Sequence, residues 1–238
     1  MHWIANNVLS AVFGVAVTKL WDAYWDNKEY LKLSIALLFR RNERIRLSCA
    51  YLFRIKYGNK YLLIKGNRID QYQPVGGVYK TYQSFQKTCN ELGVTSEKEK
   101  SFYEKNDLRV YVLGKDVMRF IKWFNTGEGR EVNVTREFYE ELIKPGFLPL
   151  EALINAQFEY IKQEHGRLHD SMAFQCKEVL LHNVYEVVLG EEYLDLLQNK
   201  INNGERRIIF VEQQDIEKEA VHIDDLDIKI GAHTKRIM

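Results

Sequence analysis

Cysteine and proline are scarce in this 238-residue chain, and neither sign of charge dominates it. The three cysteines, Cys49, Cys89 and Cys176, lie far apart and form no CxxC pair. This spacing argues against a disulfide framework or a structural zinc site and suits a reducing compartment. The 34 basic and 33 acidic residues leave a formal charge of +1, which does not favour a protein that coats a DNA or RNA polymer. Any anion site must therefore be local.

The rest of the composition is typical of a folded protein, with 46% hydrophobic and 28% charged residues. No tandem repeat, low-complexity tract or proline-rich linker divides residues 46–238. We therefore predict one α+β domain over residues 46–238, with two short segments before it, residues 1–27 and 28–45.

The first segment is apolar enough to suggest a membrane. No charged residue occurs from Trp3 to Thr18, and the apolar run approaches the roughly 20 residues that a spanning helix needs. Trp3 and Trp21 flank it, as is common at membrane interfaces. We predict a single-pass transmembrane helix over residues 1–27. The basic residues follow this run, which predicts that the domain lies on the cytoplasmic side of the membrane. The alternative is a soluble helix that packs on the domain.

Two features of the N-terminal region suggest further contacts. Ser10, Gly14 and Thr18 recur every four residues, the spacing of small side chains that lets membrane helices pair closely, so we predict self-association there. Residues 28–45 have apolar positions at helical spacing and a basic end, which is typical of an amphipathic connector near a membrane. A plain core helix explains the same pattern equally well.

Local signals predict the elements of the domain. Gly58-Asn59 indicates a β-hairpin between two strand-like runs. Ser84 can cap a helix that ends at Gly93. The run "LRVYVLGKDVMRFIKWF" is predicted as one or two strands around a Gly-Lys-Asp turn, and "TREFYEELI" as a short helix that stops before Pro145. The chain then mixes helical periodicity with a strand-rich middle up to about residue 200, and "RRIIFVEQQDIEKE" adds a strand and a helical turn.

Residues 71–94, "QYQPVGGVYKTYQSFQKTCNELGV", have the outline of a Nudix box, GxxxxxE, seven residues, then REUxEExGU, where U is bulky and aliphatic. The box places carboxylates on one helical face to hold Mg²⁺ against a diphosphate. Counted back from Gly93, only Glu91 remains, because Lys87 and Asn90 replace two others. On this alignment we expect no bound metal, no cofactor and no catalytic residue.

Several motifs together carry a family resemblance: "YLLIKGNR", "QPVGGVYK", "TREFYEELI", "HDSMAF", and "FVEQQDIEKE" with "IKIGAHTKRI". As a set they resemble the SMODS-associated Nudix-like domain family over residues 46–238. The resemblance implies a Nudix-like mixed-sheet domain with helical additions. It also implies a bacterial anti-phage role in a CBASS-type system, with a functional link to a nucleotidyltransferase. In that setting the domain would sense a cyclic di- or trinucleotide, self-associate on activation, and disrupt the inner-membrane lipid bilayer.

A cyclic nucleotide calls for cations, aromatic faces and backbone N–H groups. The residues around the glycine loop and the strand before it are the candidates, namely Arg54, Lys56, Arg68, Tyr72, Gln73, Gly76, Gly77 and Lys80. His165 and His169 have the i, i+4 spacing of a helical metal pair, but Gly166 between them and the lack of a third ligand disfavour that interpretation.

Two other functions stay open. If Glu91 acts in hydrolysis together with Glu97, Glu99 or Glu104, the chain is a hydrolase of a nucleotide or nucleoside diphosphate derivative. It is an inert scaffold if the glycine loop is only a turn.

Overall fold

The computed structural model describes residues 28–66, 70–97, 106–171, 175–223 and 226–238. Residues 1–27, with the predicted transmembrane helix and its Ser10, Gly14 and Thr18, lie outside these ranges, as does Arg68. Within the described ranges, none of the helices combines the length and the apolarity of a membrane span.

Runs of consecutive strands are separated by runs of helices, which makes the domain α+β, as predicted. The strands are β1 (Arg44–Arg54), β2 (Lys56–Tyr57), β3 (Lys60–Lys65), β4 (Tyr72–Pro74), β5 (Gly76–Val78), β6 (Thr95–Ser96), β7 (Arg109–Leu113), β8 (Gln157–His165), β9 (His169–Asp170), β10 (Lys177–Val188), β11 (Ile208–Glu212), β12 (Ala220–Ile223) and β13 (Leu226–Lys229). The helices are α1 (28–38), α2 (Phe85–Leu92), α3 (Val117–Thr126), α4 (Thr135–Phe138), α5 (Leu150–Asn155), α6 (Glu191–Asn202) and α7 (Gln213–Lys218).

β1 is the central strand of the larger sheet in the described part of the chain. On one side it pairs in parallel with β10, which in turn pairs with β8 and β9. On the other side β7 pairs with the start of β1 and β5 with its end, both antiparallel, and β6 extends β7. Nine consecutive residues of β1 are buried, because the sheet is covered on both faces.

A second, smaller sheet joins β11, β3, β2 and β4. The predicted hairpin is confirmed between β2 and β3, with Gly58 at φ 57° in the turn. The strand-like run before it is divided at Ile55, where the chain leaves the larger sheet and enters the smaller one. An alternating pattern of apolar and polar residues indicates which face of a sheet each side chain lies on. It does not reveal which strand is the pairing partner.

The helices confirm some predictions and correct one. α2 ends at Gly93 in the left-handed conformation, and the helix of "TREFYEELI" ends before Pro145. Ser84 stands at the N-cap of α2 but makes no capping hydrogen bond with its side chain. The prediction of strands on both sides of the Gly-Lys-Asp turn is wrong for the second half, which is α3. Its buried positions, Val117, Phe120, Ile121 and Phe124, follow a helical period.

His165 and His169 do not share a helix, because they lie on β8 and β9. His169 instead contacts the carboxylate of Glu178 on β10. Among the described residues, no group of three histidine, cysteine or acidic side chains is arranged to hold a metal ion.

α1 has two apolar faces. Leu33 and Leu37 are buried against the domain, whereas Leu31, Ile35 and Leu38 are exposed, and Phe39 after the helix is 85% exposed. The expected connector therefore packs on the domain with one face and presents apolar side chains to the outside with another.

Candidate functional site

A cleft of about 390 Å³ opens beside β5 and extends from the larger sheet to the end of β4. This volume is within the range of small-molecule sites. Its lining residues come from both sheets, the helix at 135–143 and the C-terminal segment: Ser48, Ala50, Leu52, Lys65, Gln73, Pro74, Gly76, Gly77, Val78, Lys80, Asp107, Arg109, Glu137, Glu140, Glu141, His182 and His233.

Strand register determines which side chains form the floor of the cleft. Alternate residues of β1, Ser48, Ala50 and Leu52, share one face of the sheet. Ala50 lies between Val78 of β5 and His182 of β10. The small side chain at position 50 leaves space above the sheet, and the histidine beside it supplies a polar group.

The paired glycines allow backbone and side chains to approach closely. Gly76 has φ 152°, and a methyl group there would overlap the carbonyl oxygen of Tyr51. At Gly77 a methyl group would occupy the space of the Glu137 carboxylate. Gly76 therefore permits β5 to pair with β1, and Gly77 permits the acidic helix to lie against β5.

That acidic helix is α4, which continues as a π-helical turn over Tyr139–Ile143. Arg136 organises its carboxylates. The guanidinium forms a double contact with Glu131, in which Nε and Nη2 are each 2.8 Å from a carboxylate oxygen. Nη1 lies 2.8 Å from Glu137 and 2.9 Å from Glu140. Nη2 also donates to the carbonyl oxygen of Val78 at 3.2 Å, which ties this helix to β5.

Glu137 is the most perturbed carboxyl group of the cleft. Burial raises its pKa to about 7, against the lowering effect of Arg136, and the nearby charges of Glu140 and Glu141 raise it further. A carboxyl group that changes its charge near neutral pH is typical of a functional site. Structural ion-pair networks perturb pKa values as well. The assignment of Glu137 to a functional site therefore rests on the geometry of the cleft.

The structure brings a different helix to the glycines than the alignment of the Nudix box on α2 does. Of the described residues, those that line the cleft include none from α2, and Glu91 is exposed on that helix. The stretch Arg136–Glu141, "REFYEE", has the form REUxEE, with Phe138 at the bulky position. Glu128 precedes Arg136 with seven residues between them, as the box requires. The long insertion of residues 78–127, which contains α2 and α3, separates the glycines from this half of the box.

Departures from the pattern remain in this alignment, and Lys144 stands where the box ends on a bulky aliphatic residue. Ile143 stands where the box has glycine. Arg136 is bound by Glu131 rather than by Glu128. The string REFYEE was itself the signal that could have located the helix from the sequence, had the spacing from the glycines been allowed to vary.

The residues of this helix do not fit the Mg²⁺ ion of the box as they stand. Carboxylate oxygens are the ligands that Mg²⁺ prefers, but the guanidinium of Arg136 occupies the position on which Glu137 and Glu140 converge. Among the described residues, no three acidic side chains are arranged to hold a metal ion.

Half of the predicted ligand residues line the cleft, namely Gln73, Gly76, Gly77 and Lys80. Arg54 instead pairs with Glu186, and Lys56 lies over the ring of Tyr61. Tyr72 is buried, and its hydroxyl donates to the carbonyl oxygen of Arg206. Sequence reasoning missed Lys65, Arg109, His182, His233 and the three glutamates.

Of the alternative carboxylates, the described Glu97 does not line the cleft. Glu97 pairs with the buried Arg46. Glu99 and Glu104 lie outside the described residues.

The mixed larger sheet, the strand β5 with Gly76 and Gly77, and the helix with the REUxEE pattern define the class of this protein. It is a Nudix-like domain. The family model of the SMODS-associated NUDIX domain matches residues 44–238, and the chain belongs to that family. The membership links the domain to CBASS-type systems. A search of curated proteins found no match.

Proposed function

We propose that this chain is the membrane-attached effector of a CBASS-type anti-phage system, and that its cleft binds a cyclic di- or trinucleotide messenger. The observation that carries the proposal is the cleft itself, in which Gly76 and Gly77 lie opposite the acidic residues of the α4 region. Family membership supports the link to a nucleotidyltransferase that would make the messenger.

The charges around the cleft suit a phosphate-bearing ligand. Lys80 and Arg109 line it on one side, where both contact the carboxylate of Asp107. Lys65 lines it at the end of β3. These cations would offset the charge of phosphate groups.

The exposed apolar side chains of α1 support membrane attachment. Leu31, Ile35 and Leu38 recur at helical spacing, and Phe39 with Arg40 and Arg41 follows them. An apolar stripe with basic residues beside it is typical of a helix that lies in a membrane interface. The apolar segment of residues 1–27, which directly precedes this stripe, would then enter the bilayer, and its association between copies would disrupt the membrane.

Co-expression with the cognate nucleotidyltransferase tests this function in cells. With the full chain we expect growth to stop. We also expect the membrane potential to collapse, as measured with a potential-sensitive dye. A chain without residues 1–25 should accumulate equally and leave growth unaffected. Unchanged toxicity after this deletion would contradict a membrane output.

A second candidate function is hydrolysis of the bound nucleotide, and the REFYEE helix favours it. Glu137, Glu140 and Glu141 supply the carboxylates that the earlier alignment lacked. The test is incubation of the full chain with each nucleotide and Mg²⁺, followed by separation of the products. A hydrolase loses activity in Glu140→Gln and keeps it in Glu91→Gln, whereas a sensor returns the ligand intact in every sample.

An inert scaffold is the remaining alternative. It predicts that no nucleotide raises the thermal stability of the chain, with or without Mg²⁺. A specific shift with one nucleotide excludes it.

A further inference from the structure

The C-terminal segment places a second polar cluster at the cleft, away from the glutamates. The backbone N–H of Gly231 donates to the carbonyl oxygen of Tyr72 at 2.8 Å, and Ile230 forms a bridge with the same residue. The chain then turns into a 3₁₀ helix, Ala232–Ile237. This anchoring brings His233 into the cleft lining and Arg236 against β10.

Arg236 is a partly buried cation of the C-terminal 3₁₀ helix. Its Nη1 contacts Nδ1 of His182 and lies 3.5 Å from the carbonyl oxygen of Leu180. No carboxylate among the described residues lies within ion-pair distance of its guanidinium. Burial lowers the pKa of Arg236, and Glu164 counteracts this only at a longer range. A buried charge without a partner is costly, and such charges are usually paired.

His182 extends this cluster to the cleft surface. Its Nδ1 faces a guanidinium, which can only donate, so the neutral ring must carry its proton on Nε2. Burial lowers the pKa values of both His182 and His233, and the charge of Arg236 lowers them further. The two rings are therefore neutral at pH 7, with centroids 6.1 Å apart. The two rings line the cleft, and the positive charge of Arg236 lies against His182.

We propose that His182 and His233, with the charge of Arg236 beside them, form a second anion site, which binds a phosphate group of the same ligand that reaches Lys80 and Arg109. This inference rests on the proposed function and deepens it. A ligand that uses both sites has at least two phosphate groups separated in space, as a cyclic dinucleotide has and a nucleoside monophosphate does not. The Arg236 site needs no metal, because its charge and donors belong to the protein.

The test uses the full chain in detergent, with EDTA to remove divalent cations. Binding of cyclic di- and trinucleotides, a nucleoside monophosphate and inorganic phosphate is measured by calorimetry. We expect Arg236→Gln and His233→Gln each to weaken binding of the cyclic nucleotide at least tenfold. Lys235→Gln is the matched control, because Lys235 lies on the same 3₁₀ helix, is exposed, and pairs with Glu219. Its affinity should be unchanged.

The outcomes separate this inference from the proposed function. If the wild-type chain binds a cyclic nucleotide and both variants bind it equally well, the second anion site is wrong and the messenger cleft stands. If no cyclic nucleotide binds the wild type in EDTA or in Mg²⁺, the proposed function fails. Inorganic phosphate or the monophosphate binding as tightly as the cyclic nucleotide would contradict a two-phosphate ligand. Arg236→Lys retains the charge and should recover part of the affinity.

Discussion

Replacement of Glu137 by glutamine should stabilise the protein at alkaline pH. Burial raises the pKa of Glu137 from 4.5 to about 7, so the folded state holds this proton more tightly than the unfolded state does. The carboxyl group therefore stabilises the fold fully below about pH 4.5, and this contribution is lost as the pH rises through 7. Each pKa unit corresponds to about 1.4 kcal/mol, so the loss amounts to roughly 3 kcal/mol. Glutamine has nearly the same shape and never ionises.

The assay is denaturant unfolding at pH 4.5 and at pH 8 for the wild type and for Glu137→Gln. From pH 4.5 to pH 8, the free energy of unfolding of the variant minus that of the wild type should increase by roughly 3 kcal/mol. The buried His182 and His233 titrate in both proteins, so their contribution cancels in the comparison. Glu91→Gln, at an exposed position of α2, controls for the loss of a carboxylate and should follow the wild type. A constant difference between Glu137→Gln and the wild type at both pH values would refute the reasoning.

Two further predictions concern the strand β5, which contains Gly76 and Gly77, and the exposed apolar side chains of α1 and Phe39. In Gly77→Ala the new methyl group displaces the Glu137 carboxylate at the cleft, so nucleotide binding should fall at least tenfold in calorimetry, whereas Gly93→Ala, where the space is open, should cost only about 1 kcal/mol of stability and no affinity. A chain that begins at residue 26 should still float with anionic vesicles, and Phe39→Ser should weaken this association about tenfold, because an aromatic side chain contributes roughly 1.5–3 kcal/mol when buried. Val132→Ser, an exposed apolar position far along the chain from α1, should have no effect. Equal flotation of both variants would contradict lipid contact by Phe39.

The parts of the fold that depend on local chemistry were predictable from the sequence. Gly58 in the hairpin and Gly93 at the end of α2 each need a left-handed backbone conformation, and that requirement is visible in one sequence. α3 was mistaken for a strand because its dense apolar residues satisfy both periods over a short window. Its helical period is evident only once Val117 and Phe124 are seen to face the same core.

The candidate site was only half predictable, because it depends on contacts across long separations in sequence. The position of β5 was predictable from the sequence, because Gly76 and Gly77 mark it directly. Its partner helix was assigned to α2, the next helix along the chain, although the true partner follows an insertion of about fifty residues. His182 and His233 could not have been predicted at the cleft, because strand pairing and the C-terminal 3₁₀ helix bring them there.

The most direct test of the central claim is nucleotide-dependent thermal stability of the full chain in detergent. Cyclic di- and trinucleotides are compared with Mg²⁺ and with EDTA, and the recovered ligand is analysed by mass spectrometry. A ligand at about 100 times its Kd stabilises the folded state by roughly 2.7 kcal/mol, so a true messenger should give a clear shift. The account predicts that one cyclic nucleotide raises Tm, that Gly77→Ala reduces this shift, and that the ligand is recovered intact. No shift with any nucleotide in either condition would contradict it.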